Sequence, residues 1–239
     1  MSNIEQLTRI WEDQREIKNL LGKYVNSLLM NWEERIFASF WSAREDVTLA
    51  FNDGVYRGSA AVRGYYEACS ARNELVRKCM VARFPEKFAD RTEEETKGVG
   101  PFKVKAAATP IIEVAGDGET AKGLWSCLGT HNDVESCGPI AHWTMGYFAV
   151  DFVREADGWK IWHLQYVNDI DCICGQSWGE KQVLPPEEEA FLPLRDFRYP
   201  PYTETKALRT LYSPERPLER APRIPEAYKT FDETFSYGA

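Results

Sequence analysis

The feature that most constrains this chain is a series of long strand signals in its middle, separated by glycine turns. Phe102 to Val114 has extended character and ends at Gly116-Asp117-Gly118, and Thr120 to Thr130 follows. His142 to Arg154 and Trp159 to Val167 form another pair, joined at Ala156-Asp157-Gly158. Asp-Gly steps supply the positive φ that tight hairpins need, so the pattern predicts long antiparallel strands. The preceding stretch is helical. Ile17, Leu21, Tyr24, Leu28 and Asn31 step by four, three, four and three, which keeps them on one face of a helix from about Ile4 to Asn31. Trp32 to Trp41 reads as a second short helix, and Val47 to Tyr56 as a β-hairpin turning at Asp53-Gly54. Ser59 is the expected N-cap of a helix through Val62, Tyr65, Tyr66 and Cys69. The charged segment from Glu86 to Gly100 reads as a solvated loop or helix end. Helices first and antiparallel strands afterwards give an α+β class.

After about Trp178 the texture changes. Nine of the thirteen prolines lie there, which argues against long helices or central strands. The same segment keeps Phe191, Phe197, Tyr199, Tyr202, Tyr212, Tyr228, Phe231 and Phe235, more aromatics than a disordered tail carries. The expected division is an α+β domain over residues 1–177 and an irregular arm over 178–239, laid on the domain or on a neighbouring subunit.

Bulk properties exclude several classes. A net charge of −8 opposes general nucleic-acid binding, which needs a basic surface to displace counterions. No apolar run reaches the roughly 20 residues of a bilayer span, and the first residues lack the apolar core of a signal peptide. The six cysteines are scattered without paired CxxC spacing, so the expectation is a reduced, cytoplasmic protein. Cys172-Ile173-Cys174 is too short a motif to imply a metal. No glycine-rich nucleotide loop, Walker motif or nucleophile elbow is present, and no cofactor is expected.

The chemistry-bearing side chains fall in the helix and the strands. Tyr24 and Asn31 lie two helical turns apart, roughly 10 Å along the axis, so both can look into one cavity. A buried tyrosine hydroxyl can bind a phenol or donate a proton, whereas Asn31 can orient a hydroxyl but not act as a base. Lys105 stands between Val104 and Ala106-Ala107-Ala108. Facing inward it would need an anion or lose its charge, and a phenolate is the fitting anion; facing outward it would be an ordinary surface lysine. In the last strand Trp159, Ile161, His163 and Gln165 share a face by alternation. With Ile161 in the core, His163 becomes the general base and Gln165 its neighbour at the pocket. In the strand before it, His142, Thr144, Gly146, Phe148, Val150 and Phe152 share parity. That places Phe148 in the pocket and His142 near its mouth. His131 reads as loop. Three separated histidines without an HxH or HExxH pattern predict no metal site.

The order of these segments resembles SnoaL-like domains of the nuclear-transport-factor-2-like superfamily. Val55-Tyr56-Arg57-Gly58-Ser59-Ala60-Ala61-Val62-Arg63 is similar to that family's glycine-then-helix step. Thr109 to Asp117 resembles its central strand and turn, and Gly146 to Arg154 with Gly158 to Ile161 its last hairpin. The resemblance covers roughly residues 10 to 168. It implies a cone-shaped barrel, in which a curved antiparallel sheet wraps around the N-terminal helices and encloses an apolar pocket, in a homo-oligomer. Similar proteins include dehydratases, ketosteroid-type isomerases, polyketide cyclases, hydroxylases, and lyases that release formaldehyde from lignin-derived diarylpropanes through a quinone methide. This chain departs from the family where many catalytic members carry Asp, at Asn31, and where they carry His, at Lys105. The remaining set of Tyr24, Lys105 and His163 suits a cofactor-independent lyase acting on a small hydroxylated aromatic substrate. A steroid- or polyketide-type isomerase or cyclase, and a non-catalytic small-molecule-binding protein, are the alternatives.

Overall fold

The computed structural model describes residues 3–30, 33–217 and 222–239. Helix α1 (Asn3–Leu29) buries Ile17, Leu21, Tyr24 and Val25 on one face, as the helical period dictates. Helix α2 (Glu33–Phe40) sets Ile36 and Phe40 into the same core. Asn31 and Trp32, between them, lie outside the described residues. Strands β1 (Thr48–Phe51) and β2 (Gly54–Arg57) form the predicted hairpin, with Asn52-Asp53 as its turn. Gly54 is paired with Phe51 rather than sitting at positive φ. It is needed for close approach instead, since a Cβ there would lie 2.3 Å from the Tyr202 ring. Helix α3 (Ser59–Arg83) starts from Gly58, whose φ of +95° takes the capping position expected of Ser59. The Ser59 hydroxyl donates to Glu45 instead. A short helix α4 (Pro85–Phe88) and a single 3-10 turn at Glu94–Thr96 carry the charged segment.

Four long strands follow: β3 (Phe102–Val114), β4 (Thr120–Glu135), β5 (Gly138–Glu155) and β6 (Gly158–Ile173). β4 and β5 outrun the prediction. The stretch from His131 to Ala141, outside the predicted strands, is the end of a hairpin with Gly138 at φ +90°. β1 joins β6 in parallel, and β7 (Glu204–Thr205) extends β2, giving the order β3-β4-β5-β6-β1-β2-β7. The sheet is curved and, among the described residues, does not close into a full barrel. Its curvature has local sources. β3 is kinked at Thr109-Pro110, with Thr109 at φ +47°, and β6 carries single extra residues at Trp162 and Asp169. Each such bulge reverses the side-chain alternation beyond it.

Beyond β6 the chain returns over its own sheet and helices. Phe191, just before the short helix α5 (Leu192–Arg195), packs with Val76, Cys79 and Val134. Tyr202 lies 4.9 Å from Tyr56, Phe231 lies 4.6 Å from Trp162, and Tyr237 joins Leu124 and Ala149. Among the described residues, no helix is long and apolar enough to cross a membrane.

Candidate active site

The inner face of the sheet presents its side chains in rows, because directly paired residues share a face. The outermost row is Lys103, His131 and His142, and the next is Lys105, Gly129, Thr144 and Asp171. Deeper lie Ala107, Cys127, Gly146 and Asn168, and then Trp125, Phe148 and Tyr166. The helices supply the opposite wall with Tyr24, Glu33, Tyr65 and Tyr66, and Tyr199 from the arm closes one side. The cavity measures about 240 Å³. Its polarity is graded, with charges and imidazoles at the rim and rings at the floor.

Gly129 organises the second row. A Cβ there would come within 2.6 Å of the Val104 carbonyl and 2.7 Å of the Thr144 hydroxyl. With only hydrogen at that position, the Lys105 side chain crosses β4. Its Nζ donates to the Tyr166 hydroxyl at 2.6 Å and to Thr144 Oγ1 at 3.1 Å. Burial lowers the Lys105 pKa, and burial raises that of Tyr166.

Beside this lysine, His142 Nδ1 lies 2.8 Å from Asp171 Oδ1, and its ring stacks on His131 at 4.8 Å. Burial, then the charge of Lys105, pushes His131 down to about 4, so it is neutral near pH 7. Its Nδ1 is buried with no hydrogen-bond partner among the described residues. On the helical wall the Tyr24 and Tyr66 hydroxyls are 3.1 Å apart, and Trp41 Nε1 donates to Tyr66 at 3.2 Å. Burial raises the pKa of both tyrosines, which keeps them protonated. Glu33, 1% exposed, accepts from Lys103 at 2.7 Å and Asn73 at 3.1 Å.

His131, His142 and Asp171 are the one group among the described residues that could hold a metal ion. The two imidazole planes are 16° apart and stacked, so their in-plane lone pairs do not converge on one point. A shared ion would require one ring to rotate.

The predicted residues therefore divide. Tyr24, Lys105 and Phe148 line the cavity, and His142 adjoins it through Asp171. His163 does not face it. The extra residue at Trp162 reverses the alternation, so Ile161 enters the core while His163 points to the outer face. There it meets Thr48 Oγ1 at 3.0 Å and lies beneath Gly238 of the arm, where a Cβ would be 2.8 Å from its Nδ1. Gln165 faces outward too and donates to the Tyr237 carbonyl at 2.8 Å. Asn31 lies outside the described residues. The residues that alternation missed are Tyr166, Asn168 and Asp171, on β6 past the first bulge, and Tyr199 on the arm. The parity of Leu164, a core residue, was the signal for Tyr166 and Asn168.

Residues 9–165 match the profile of the SnoaL-like domain. The hexachlorocyclohexane dehydrochlorinase LinA-type3 from Novosphingobium barchaimii LL02 superposes with a TM-score of 0.50 and 13% identity, covering 77% of this chain and 100% of that one. A further structure of LinA gives a TM-score of 0.50 at 13% identity, covering 76% and 99%. A nuclear transport factor 2-like superfamily protein from Salmonella enterica subsp. enterica serovar Typhimurium str. LT2 gives a TM-score of 0.45 and 15% identity, over 70% and 98%. No curated protein matches the sequence. At such identities the likeness concerns fold, and chemistry must be argued from the site.

Proposed function

Because this chain belongs to the SnoaL-like family, whose fold is no guide to one chemistry, we propose from its site that it is a cofactor-independent lyase for hydroxylated aromatic substrates. The reaction is dehydration, formaldehyde elimination, or both, on a diarylpropane-type diol. One observation carries the reading. A half-buried lysine, held by two neutral hydroxyls, faces an aromatic cavity next to a histidine–carboxylate pair.

In this scheme the ammonium of Lys105, with the Tyr166 hydroxyl, stabilises the phenolate of the substrate. The phenol loses its proton, the benzylic hydroxyl gains one and leaves as water, and a quinone methide forms. His142, oriented by Asp171, then removes the proton of the terminal alcohol in the role first expected of His163. The C–C bond to the terminal carbon breaks and formaldehyde departs. The electron pair forms a carbon–carbon double bond and restores the phenolate, so the substrate itself stores the electrons.

Incubation with para-hydroxylated aryl diols should release formaldehyde and give a conjugated alkene absorbance. The absence of both across a panel of such diols would sink the reading. A second reading is favoured by the Tyr24–Tyr66–Trp41 chain, which could donate to a developing oxyanion as an isomerase or cyclase requires. A product of unchanged mass would select that alternative.

A further inference from the structure

The cavity does not end at Tyr199. A second hollow of about 810 Å³ adjoins it, and the two share Phe51, Tyr65, Tyr166, Asn168, Asp171 and Tyr199. The far wall of the second hollow is the arm, through Pro200, Pro201, Tyr202 and Leu211. We infer that the two hollows are lobes of one binding site, which takes an elongated ligand of two aromatic rings joined by a hydroxylated linker, with the arm setting the ligand's length. The inference rests on the lyase reading for which ring reacts, but it is a claim about binding.

Size comes first. At about 240 Å³ the inner lobe is smaller than the roughly 300–1,000 Å³ common for small-molecule sites, so alone it suits a single ring. Next, the outer wall is fixed in place. Thr203 N donates to Val55 O at 3.0 Å, Lys206 N to Asp53 O at 3.1 Å and Leu208 N to Asn52 O at 2.7 Å. The Tyr56 hydroxyl donates to Pro200 O at 2.9 Å. A wall held by main-chain hydrogen bonds is ordered before the ligand arrives, which lowers the cost of binding. Its surface is aromatic: Tyr65 stacks with Tyr199 at 5.7 Å, and Tyr202 lies against Tyr56. Such faces receive another ring in offset or edge geometry.

The junction supplies an independent observation. Asn168 borders both lobes, and its Oδ1 is buried with no hydrogen-bond partner among the described residues. A buried acceptor without a donor is costly, and a hydroxyl on the ligand's linker would satisfy it.

Two probes test the inference by calorimetric titration: 4-hydroxybenzyl alcohol, with one ring, and 1,2-bis(4-hydroxyphenyl)propane-1,3-diol, with two. Leu211 is 42% exposed, and Leu211→Trp fills the outer lobe without disturbing the inner one. Affinity for the two-ring probe should fall roughly tenfold or more, while the one-ring probe, which also controls for folding, stays within about twofold. Pro201→Trp should repeat the selective loss from another side of the lobe. Equal loss of both probes, or no loss of either, overturns the two-lobed site. Parent protein that binds both probes but converts neither sinks the lyase reading, and the same variants still decide the lobes. Parent protein that binds neither probe overturns both.

Discussion

Two lysines lie on opposite faces of one sheet, one fully buried and one half-buried, and only the first has a carboxylate paired to it. Lys122, on the outer face of β4, is fully buried and ion-paired with Asp151 at 2.7 Å. Asp151 also accepts from Ser236 Oγ at 2.8 Å and Tyr237 N at 2.7 Å. Phe231 and Phe235 of the arm lie 4.4 Å and 4.7 Å from the ammonium. The chain itself thus supplies a counter-ion and a cage, and the lysine fastens the arm. Lys105, on the inner face of β3, meets two neutral hydroxyls, and among the described residues it forms no ion pair. Partial or full burial lowers the pKa of both lysines, and a cation drawn out of water without its own anion is left uncompensated. Burial alone does not mark a reactive lysine. The missing anion does, because a substrate can bring it.

The sharpest way to break this comparison is to remove each charge in turn. Lys105→Met should lower turnover of a phenolic diol by about 10² to 10⁴-fold, with melting temperature unchanged or raised. Turnover close to the parent's would show that Lys105 does not hold the reacting phenolate. Lys122→Met should do the reverse. Asp151 would be left buried without its cation, at a cost of about 3–5 kcal/mol, while kcat per folded molecule persists. Adding Asp151→Leu should recover much of that stability, since replacing both members of a buried pair costs less than breaking it. Denaturant titrations of the single and double variants measure both outcomes.

The inner and outer faces also mark where side-chain direction could be read from residue numbers. β5 keeps its alternation, and Phe148 in the cavity and His142 beside it follow from parity with Val150 and Phe152. β6 does not. Its extra residues at Trp162 and Asp169 leave no mark in composition, yet each turns the following side chains over. His163 and Gln165 are misplaced for that reason, and Asp171, beyond the second bulge, comes back inward. The strand end misled in another way. His131, which follows Gly129-Thr130, reads as loop, but it lies within β4, and with its neighbours Asn132 and Asp133 it lines the cavity rim. The arm's aromatics raise the expectation that it packs, without naming the surface. Which surfaces it meets depends on pairings such as Tyr237 with Asp151, across a long sequence separation that no local pattern encodes. The family profile stops at residue 165, before Tyr166, Asp171 and Tyr199.

Two histidines extend the comparison at a smaller scale. His142→Gln should slow turnover by about 10²-fold, because an amide cannot accept the alcohol proton, and Asp171→Asn should show the same direction with a weaker effect. His163→Gln should leave kcat unchanged, since the ring faces the arm rather than the cavity. Steady-state rates of these variants on one substrate separate the two positions. A rate loss at His163→Gln equal to that at His142→Gln would mean that the outer histidine reaches the chemistry through the sheet.

The smallest expected effect is one of stability with pH, and it isolates the outer histidine. Burial, with the nearby charges of Lys122, Arg57 and Arg44, pushes His163 down to about 4, although Asp46 acts in the opposite direction. An unfolded chain has an ordinary imidazole that titrates near 6.5, so it takes up a proton that the folded state refuses. The unfolded state binds more protons below that point, and stability therefore falls as pH falls. The contribution is complete above pH ~6.5 and is lost progressively down to pH ~4, by about 2 kcal/mol at pH ~5. His131, also pushed down to about 4, acts in the same direction, so the parent carries two such losses. His163→Gln has no proton to gain at that position and should show about half of the parent's histidine-linked loss between pH ~7.5 and pH ~5. Urea titrations at those two values measure it. A variant whose acid loss matches the parent's would mean that His163 is protonated in the folded protein, and that the arm tolerates a charge where the contact with Gly238 leaves it no room.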